Sequence, residues 1–334
     1  MIRVAVDAMG GDRGPEEIVI GALGARSDDV VPVVVGPDGL DTHGLELIEA
    51  SDVIEMDEKP TEAVRAKPNS SLVTACRAVA EGRAQAVVSA GNTGAMLAAC
   101  LLELRRLPGV RRPAIAVTIP SRSGASVLLD SGANADARPE DLLQFAHMGA
   151  VFAEEILDVR DPEIRLLSIG EEPEKGNQLT LEAHALLTAS ELNFRGNTEG
   201  RDLLRGGADV VVTDGFTGNV ALKLLEGTIT NLLDAFREEV TATTRGKLGS
   251  VLIRPAARRL RNRLDPDTYG GAYLLGLRGL AVIAHGNSSR RAIANAIRLA
   301  ARGVDHDVVG RLAQRLGGTV LESAPTTTPT PHVR

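Results

Sequence analysis

The chain contains no tryptophan, and aromatic residues make up only 2% of its 334 residues. A core without large rings must be packed from Val, Leu, Ile and Ala, which is typical of buried strands flanked by alanine-rich helices. The scarcity of aromatic side chains also argues against a surface on which nucleic-acid bases stack. We therefore expect an α/β protein with no nucleic-acid partner.

Cysteine is equally scarce. Cys76 and Cys100 are too few for a disulfide framework and lack the spacing of a metal site, which fits a reducing compartment. The chain begins with a strand pattern instead of a charged leader and an apolar segment, and no apolar run reaches the roughly 20 residues of a spanning helix. These features predict a cytoplasmic protein whose membrane contact, where it occurs, is peripheral.

Several catalytic motifs are also missing. The sequence has no G-x-x-x-x-G-K-[ST] loop, no G-x-S-x-G elbow, no H-E-x-x-H and no C-x-x-C. A kinase-type nucleotide site, a serine hydrolase and a zinc enzyme are therefore disfavoured, and we expect neither a metal nor a cofactor.

The net charge of -7 argues against a general polyanion binder, yet residues 241–264 carry seven Lys or Arg and no acid.

Short Val, Ile and Leu runs alternate with amphipathic stretches, which predicts a mostly parallel sheet in a three-layer α/β/α sandwich. The predicted strands are residues 2–7, 31–36, 86–90, 114–119, 127–130, 164–169 and 210–214. The predicted helices include residues 71–82, 139–157 and 179–189. We expect a single domain over residues 1–322 with a helical projection at about 238–265, and a disordered Thr/Pro-rich tail over residues 323–334.

Two segments of the chain match each other. VVSAGNTGA (87–95) aligns without gaps on VVTDGFTGN (211–219), and both read as a strand, a G-x-T-G turn and a helix. Ligands of α/β sheets bind beyond the carboxyl ends of strands, and helix N-termini favour anions. We expect both turns to face one crevice, although each also fits an ordinary capped helix. Their candidate binding and catalytic residues are Asn92, Thr93, Gly94, Asp214, Gly215, Thr217, Gly218 and Asn219.

Three other loops follow predicted strands. The loop after the first strand offers Asp7, Gly10 and Gly11, although a Gly-Gly turn is also ordinary loop chemistry and the dinucleotide spacing G-x-G-x-x-G is absent. Residues 170–177 place Lys175 and Asn177 on a loop at the same predicted sheet edge, where a lysine suits phosphate. His285 precedes an arginine-rich helix, although a single histidine is more often structural.

An ordered set of phrases resembles one known family, the bacterial phosphate acyltransferases of phospholipid synthesis. The phrases are VDAMGGD (6–12), SAGNTG (89–94), LDSGAN (129–134), GEE (170–172), KGN (175–177) and DGFTGN (214–219). The likeness continues through FRGN (194–197), YGGA (269–272) and AHG (284–286), and covers roughly residues 2–300. It adds Asn134 to the candidate substrate-binding residues.

The resemblance implies an enzyme that transfers a fatty acyl group from acyl-[acyl carrier protein] to inorganic phosphate. The acyl-phosphate product then serves a membrane enzyme that acylates glycerol 3-phosphate. The resemblance also implies a fold similar to phosphotransacetylases and isocitrate-dehydrogenase-like enzymes, and a homodimer. A projecting helical hairpin, matched by the basic segment 241–264, implies peripheral contact with an anionic membrane; the acidic carrier protein is a further candidate partner of that segment.

Phosphate is substantially a dianion near neutral pH and thiolates leave readily, so the reaction needs no covalent enzyme intermediate. We expect Lys175 and the N–H groups of the two G-x-T-G turns to bind phosphate or the oxyanion. Asp214 is expected to orient or deprotonate the nucleophile, with Asn219 and His285 in the same crevice. The alternatives are a coenzyme A-dependent phosphate acyltransferase, a nicotinamide-dependent dehydrogenase on the same fold, and a non-catalytic membrane-recruited scaffold.

Overall fold

A computed structural model of the protein describes residues 1–121, 124–264 and 270–322. Within these ranges, eleven strands form one sheet. The strands are β1 (Ile2–Asp7), β2 (Val30–Gly36), β3 (Glu46–Glu49), β4 (Ala86–Ser89), β5 (Ala114–Ser121), β6 (Gly124–Leu129), β7 (Ile164–Ser168), β8 (Phe194–Glu199), β9 (Val210–Val212), β10 (Ala272–Leu275) and β11 (Leu280–Ile283). The predicted disordered tail, residues 323–334, lies outside the described residues, as does Tyr269 of one family phrase.

Ten α-helices lie within the same ranges, together with a short 3-10 helix at Gly200–Asp202. They are α1 (Gly14–Ala25), α2 (Pro60–Ala66), α3 (Ser71–Ala80), α4 (Thr93–Glu103), α5 (Pro139–Ile156), α6 (Gln178–Thr188), α7 (Gly215–Thr241), α8 (Thr244–Leu264), α9 (Arg290–Asp305) and α10 (Val308–Glu322). All seven predicted strands and the three predicted helices are confirmed. Strands β3, β8, β10 and β11 were not predicted.

The sheet has two halves that run in opposite directions. Its strand order is β3-β2-β1-β4-β11-β10-β5-β6-β9-β7-β8. Three neighbouring pairs, β11–β10, β10–β5 and β5–β6, are antiparallel. The carboxyl ends of β1, β4 and β11 therefore lie at one edge, called here the first edge, and those of β6, β9 and β7 lie at the opposite, second edge. The expectation that the two matching turns share one sheet edge is wrong.

Helices cover both faces of the sheet, which confirms the three-layer prediction. Alternating side chains of each strand enter different clusters: Val4 and Val6 pack on one face of β1, and Ala5 packs on the other. Helices α1, α5, α6, α9 and α10 contribute to the first cluster. Helices α2, α3 and α4 cover the other face over one half of the sheet, and the start of α7 covers it over the other half.

Helices α7 and α8 pack against each other as a hairpin; the segment predicted to project, about residues 238–265, covers α8 and only the end of α7. The basic segment of the sequence coincides with α8, in which no residue is buried. Apolar side chains stand exposed on it, among them Leu252 at 84% and Leu248 at 71% exposure. Among the helices of the described ranges, none has the length and apolar character needed to cross a bilayer.

Candidate active site

A groove of about 420 Å³ opens on the face of the sheet where the helical layer is interrupted. Its floor is formed by Ile115, Val117 and Ile119 of β5, Ala272 of β10 and Ile283 of β11. One wall is the start of α4, with Thr93 and Gly94, and the other is one side of α7. The groove crosses the sheet from the first edge to the second, and so it contacts both G-x-T-G turns even though they lie at opposite edges.

At the first edge, Asp7 joins the loops that follow β1 and β4. Its buried carboxylate accepts a hydrogen bond from Ser89 Oγ at 2.7 Å, and Ser89 Oγ accepts one from Gly91 N at 3.0 Å. Burial raises the pKa of the Asp7 carboxyl, against the opposing effect of these hydrogen bonds. Gly10 is required here, because a Cβ would lie 2.6 Å from Asp7 Oδ2 and 2.7 Å from Gly91 N. Asp7 and Gly10 thus shape the edge from below the groove.

The third loop of this edge follows β11 and carries His285. Asp12 N donates to the carbonyl oxygen of Gly286 at 2.7 Å, which ties this loop to the one after β1. Gly11 lies between them with φ of 109°, a conformation that favours glycine, and a Cβ would come within 3.0 Å of the same carbonyl. His285 lines the groove, with Nε2 at 3.4 Å from Glu226 Oε1 of α7.

The first G-x-T-G turn forms the capped start of α4. Asn92 Oδ1 accepts from Ala95 N at 3.1 Å, and Asn92 Nδ2 donates to the carbonyl oxygens of Met56 and Glu58 at 2.9 and 3.2 Å. The Asn92 amide is therefore engaged within the protein, whereas Thr93 and Gly94 line the groove. Gly94 also permits close packing on α2, since a Cβ would lie 2.6 Å from Pro60 Cγ.

At the second edge, the loop after β6 is built around Asp130. Its Oδ1 accepts from the N–H groups of Ile115 and Ala133 at 3.0 and 2.9 Å, and its Oδ2 accepts from Asn134 N at 2.8 Å. Burial raises the pKa of the Asp130 carboxyl, and these hydrogen bonds oppose the rise. Asn134 Nδ2 donates to Asp130 Oδ2 and to the carbonyl of Pro113, so the buried Asn134 amide serves the loop itself.

The second G-x-T-G turn packs tightly on this loop. A Cβ on Gly218 would lie 2.0 Å from the Asp130 carbonyl oxygen, and one on Gly215 would lie 2.7 Å from Asn134 N. Glycine is therefore needed at both positions to bring α7 against the sheet.

The N–H groups of the first turn of α7 already have acceptors. Asp214 is the N-cap of the helix, and its Oδ1 accepts from the N–H groups of Phe216 and Thr217 at 3.0 and 2.9 Å. Gly215 N donates to the carbonyl of Asn134, and Gly218 N donates to that of Asp214. With these four backbone donors occupied, donors to a bound anion at this turn must come from side chains.

Asn219 is the side chain of this turn that reaches the groove. It lies over Gly132, where a Cβ would be 3.7 Å from Asn219 Cβ, Cγ and Oδ1 alike. Ser131 and Gly132 line the same end of the groove. Asn219 is exposed, whereas the Asp214 carboxylate is partly buried and holds the helix start. The two residues therefore occupy different parts of one turn, with the amide toward the groove.

Lys175 lies at the second edge on the loop that follows β7. Its backbone is held firmly: Lys175 N and Asn197 Nδ2 both donate to the carbonyl of Glu172, at 3.0 and 2.9 Å, and Ser168 Oγ donates to the Lys175 carbonyl at 2.9 Å. The Lys175 side chain is exposed. Asn177 closes the loop by capping α6, with Oδ1 accepting from Thr180 N at 3.0 Å. Because β7 and β9 are parallel neighbours in the sheet, this loop and the start of α7 both follow strand ends at the second edge.

Of the predicted site residues, the groove lining brings together Thr93, Gly94, Asn219 and His285. The lining does not include the other predicted residues: Asp7, Gly10, Gly11, Asn92, Asn134, Lys175, Asn177, Asp214, Gly215, Thr217 and Gly218. The groove also has residues that the sequence analysis missed, which lie on one side of α7: Leu222, Lys223, Leu225, Glu226 and Ile229. Starting from Asn219, they recur in steps of three and four residues, which is the pattern of one helix face and would have identified them.

The missed residues include a charged pair inside the groove. Lys223 Nζ lies 2.9 Å from Glu226 Oε2, and the other oxygen of Glu226 faces His285. Cys76 and Cys100 are buried between α3 and α4 with their sulfurs 3.6 Å apart, away from the groove lining. In the part of the chain that the structure describes, no three His, Cys, Asp or Glu side chains are grouped to hold a metal ion.

Comparison with known proteins places this arrangement in context. A family model described as "Fatty acid synthesis protein" matches residues 2–311. The protein named phosphate acyltransferase from Heliobacterium modesticaldum is 45% identical over 331 residues, covering 96% of this chain and 99% of that protein. The one from Thermosynechococcus vestitus is 48% identical over 323 residues, covering 93% and 94%. A phosphotransacetylase structure from Streptococcus pyogenes covers 91% of this chain and 94% of that chain at a TM-score of 0.61 and 18% identity, which shows a shared fold.

Proposed function

The chain belongs to the phosphate acyltransferase family, and from that premise we propose that it transfers a fatty acyl group from acyl-[acyl carrier protein] to inorganic phosphate. The product is an acyl-phosphate, which a membrane enzyme uses to acylate glycerol 3-phosphate. The observation that carries the proposal is the groove itself. An apolar floor suits an aliphatic chain, and it ends at Ser131, Gly132 and Asn219, where polar groups suit phosphate.

The reaction needs positioning and charge stabilisation more than acid or base catalysis. An oxygen of phosphate attacks the thioester carbonyl carbon, the C–S bond breaks from the tetrahedral intermediate, and the thiolate takes up a proton from solvent. Thiols ionise at about pH 8.5, so the leaving group departs without strong acid assistance. The protein must therefore hold two anionic groups, the phosphate and the oxyanion, next to each other.

We assign these tasks to the side chains of the second edge. Lys175 supplies the positive charge for phosphate, and Asn219 Nδ2 donates to the oxyanion. Asp214 acts through the helix, because its cap fixes the turn that presents Asn219. His285 lies at the first edge and pairs with Glu226. We assign it the role of positioning the bound ligand.

The hairpin supports the proposed partners. Its basic helix α8, with Arg258 and Arg259 exposed, suits either an acidic carrier protein or an anionic membrane. Exposed apolar side chains of α7, such as Leu232 and Phe236, suit burial against a second copy of the chain in a homodimer. Peripheral attachment of this kind would deliver the acyl-phosphate to the membrane enzyme that consumes it.

The deciding experiment supplies purified protein with phosphate and palmitoyl-carrier protein, and traps acyl-phosphate as its hydroxamate. A parallel reaction contains palmitoyl-coenzyme A. We expect phosphate-dependent product from the carrier thioester. Product from coenzyme A alone would replace the carrier with coenzyme A as the donor, whereas a folded protein inactive with both would favour a non-catalytic scaffold.

A further inference from the structure

Among the described residues that line the groove, two carry a full charge at neutral pH, Lys223 and Glu226 of α7. Lys175, to which phosphate is assigned above, is not part of the lining. The two groups that the reaction must hold, the phosphate and the oxyanion, are both negative. Lys223 is therefore the positive charge that the lining itself offers to them.

The ammonium group of Lys223 is paired with a carboxylate. Its Nζ donates to Oε2 of Glu226 at 2.9 Å, and the other oxygen of Glu226 lies 3.4 Å from Nε2 of His285 across the groove. The side chain of Glu226 is only 20% exposed, whereas that of Lys223 is 57% exposed. The carboxylate thus lies sheltered between two basic side chains, which is also the environment that suits an anionic ligand.

A bound phosphate can take the place of Glu226 on this lysine. A lysine ammonium has three donors on a flexible stem, and Glu226 accepts from one of them. A phosphate dianion carries more negative charge than a carboxylate and has more acceptor oxygens. The existing ion pair is partly exposed and therefore weak, so exchanging its carboxylate for phosphate costs little. His285 remains beside Glu226 as a partner for the displaced carboxylate.

Lys223 is also in the right place for the reaction. It follows Asn219 by four residues on α7, so the two side chains are neighbours on one helix face, with Cβ atoms about 5–6 Å apart. The proposed function places the reacting carbonyl at Asn219. A phosphate held by Lys223 therefore lies next to the carbon that it attacks.

We propose that Lys223 binds phosphate inside the groove, and that Glu226 is an internal anion which phosphate displaces from this lysine. The inference rests on the proposed function. The affinity for phosphate then reflects a competition of two anions for one ammonium group, so removing the charge of Lys223 and removing that of Glu226 have opposite effects on it. A pair that only stabilises α7 has no such property, because loss of either partner breaks the same contact.

The test measures KM for phosphate at saturating palmitoyl-carrier protein. We expect Lys223→Gln to raise this KM by at least about tenfold, and Lys223→Arg, which keeps the charge, to stay within about threefold of the wild type. Glu226→Gln removes the competing charge at nearly constant shape and should lower the KM by about threefold.

A second lysine–glutamate pair provides the matched controls. Lys59 and Glu62 are also three residues apart, with a separation of 3.3 Å, but their side chains are 80% and 75% exposed and lie outside the groove lining. Lys59→Gln and Glu62→Gln should both leave KM for phosphate as in the wild type.

Thermal unfolding makes the same comparison without turnover. Phosphate that binds the folded protein raises the unfolding temperature above that in sodium chloride of equal ionic strength. We expect this rise to be lost in Lys223→Gln and to be larger in Glu226→Gln than in the wild type.

The outcomes separate the inference from the proposed function. An unchanged KM for phosphate in Lys223→Gln overturns the inference, as does a raised KM in both Lys223→Gln and Glu226→Gln. A raised KM for the thioester with an unchanged KM for phosphate also overturns it, because Lys223 would then bind the acyl donor. A wild type that forms no acyl-phosphate from any thioester overturns the proposed function itself.

Discussion

Nε2 of His285 lies 3.4 Å from Oε1 of Glu226, so a loop of the sheet and the wall helix α7 meet across the groove. Both side chains are partly exposed, which limits the strength of the pair. Since His285 and Glu226 share this contact, we expect His285→Ala and Glu226→Ala each to lower kcat/KM by no more than about tenfold. The double variant should be no less active than Glu226→Ala, which also removes the partner of Lys223. Measured losses that multiply would show that the two side chains work independently.

Lys175 and Asn219 are expected to carry most of the charge stabilisation. Lys175→Ala and Asn219→Ala should each lower kcat by at least about a hundredfold, as loss of one well-placed donor does in other acyl transfers. Both side chains are exposed, so thermal unfolding should change little. Lys59→Ala, which removes a lysine 80% exposed just before α2, is the control. Rates close to the wild type in either variant would remove that residue from the mechanism.

Asp214 allows capping and base catalysis to be separated. Asparagine caps a helix about as well as aspartate, whereas alanine loses about 1 kcal/mol of stability. Because Oδ1 accepts two backbone hydrogen bonds, we expect Asp214→Asn to keep kcat within about tenfold and Asp214→Ala to lose much more. Initial rates and urea unfolding of both variants make the comparison. An Asp214→Asn variant as inactive as Asp214→Ala would identify the carboxylate as the base.

The basic helix α8 should govern electrostatic association. Charge reversal at Arg258 and Arg259 is expected to weaken binding to carrier protein or to anionic vesicles, with an effect that shrinks as salt rises. Co-sedimentation and titration calorimetry at low and moderate ionic strength measure it. Reversal at Arg65 and Arg83, which are exposed on the body of the protein, makes the same change in net charge elsewhere. If reversal at both sites weakens binding equally, the effect comes from the net charge of the protein and not from α8.

His147 of α5 gives the stability of the fold a pH dependence. Burial lowers the pKa of His147 below its usual 6.5, and the charge of Arg315 lowers it further, so the folded state favours the neutral ring. The unfolded chain binds the proton more readily, so this contribution to stability is present above pH 6.5 and lost as pH falls through the lowered pKa. We expect the free energy of unfolding, measured in urea between about pH 5 and 8, to fall more steeply with decreasing pH in the wild type than in His147→Gln. The difference between the two slopes should be at most about 1.4 kcal/mol per pH unit. Equal slopes would contradict it.

Much of the fold could be predicted because its signals are local. Buried strands such as β1 and β9 are runs of Val and Ile next to turn residues, and the seven positive residues of α8 stand out in the sequence. Strands β10 and β11 escaped prediction because each has four continuous apolar residues, which periodicity cannot distinguish from a buried helix.

The candidate site was predicted less completely, because strand direction is set by long-range pairing. Nothing in the residues of the two turns shows that three antiparallel pairs, β11–β10, β10–β5 and β5–β6, separate β4 from β9. Because three is an odd number of reversals, these pairs send Asn92 and Asn219 to opposite edges. The matching turns were identified correctly as strand, turn and helix. Which of their polar groups are free to meet a ligand depends on contacts such as those of Asn92 with Met56 and Glu58.

Helix α7 holds Asn219 in its first turn and ends at the tip of the hairpin, an uninterrupted run of 27 residues and about 40 Å. The start of this helix is tightly packed, because Gly218 lies directly against the carbonyl of Asp130. Because α7 is one continuous helix, its two ends are mechanically connected. A partner that binds the tip of the hairpin therefore restrains the orientation of the Asn219 amide at the start of the helix. Thermodynamic linkage makes the effect reciprocal. A ligand bound at the Asn219 turn changes the affinity of the hairpin tip for its partner by the same factor by which that partner changes the affinity for the ligand.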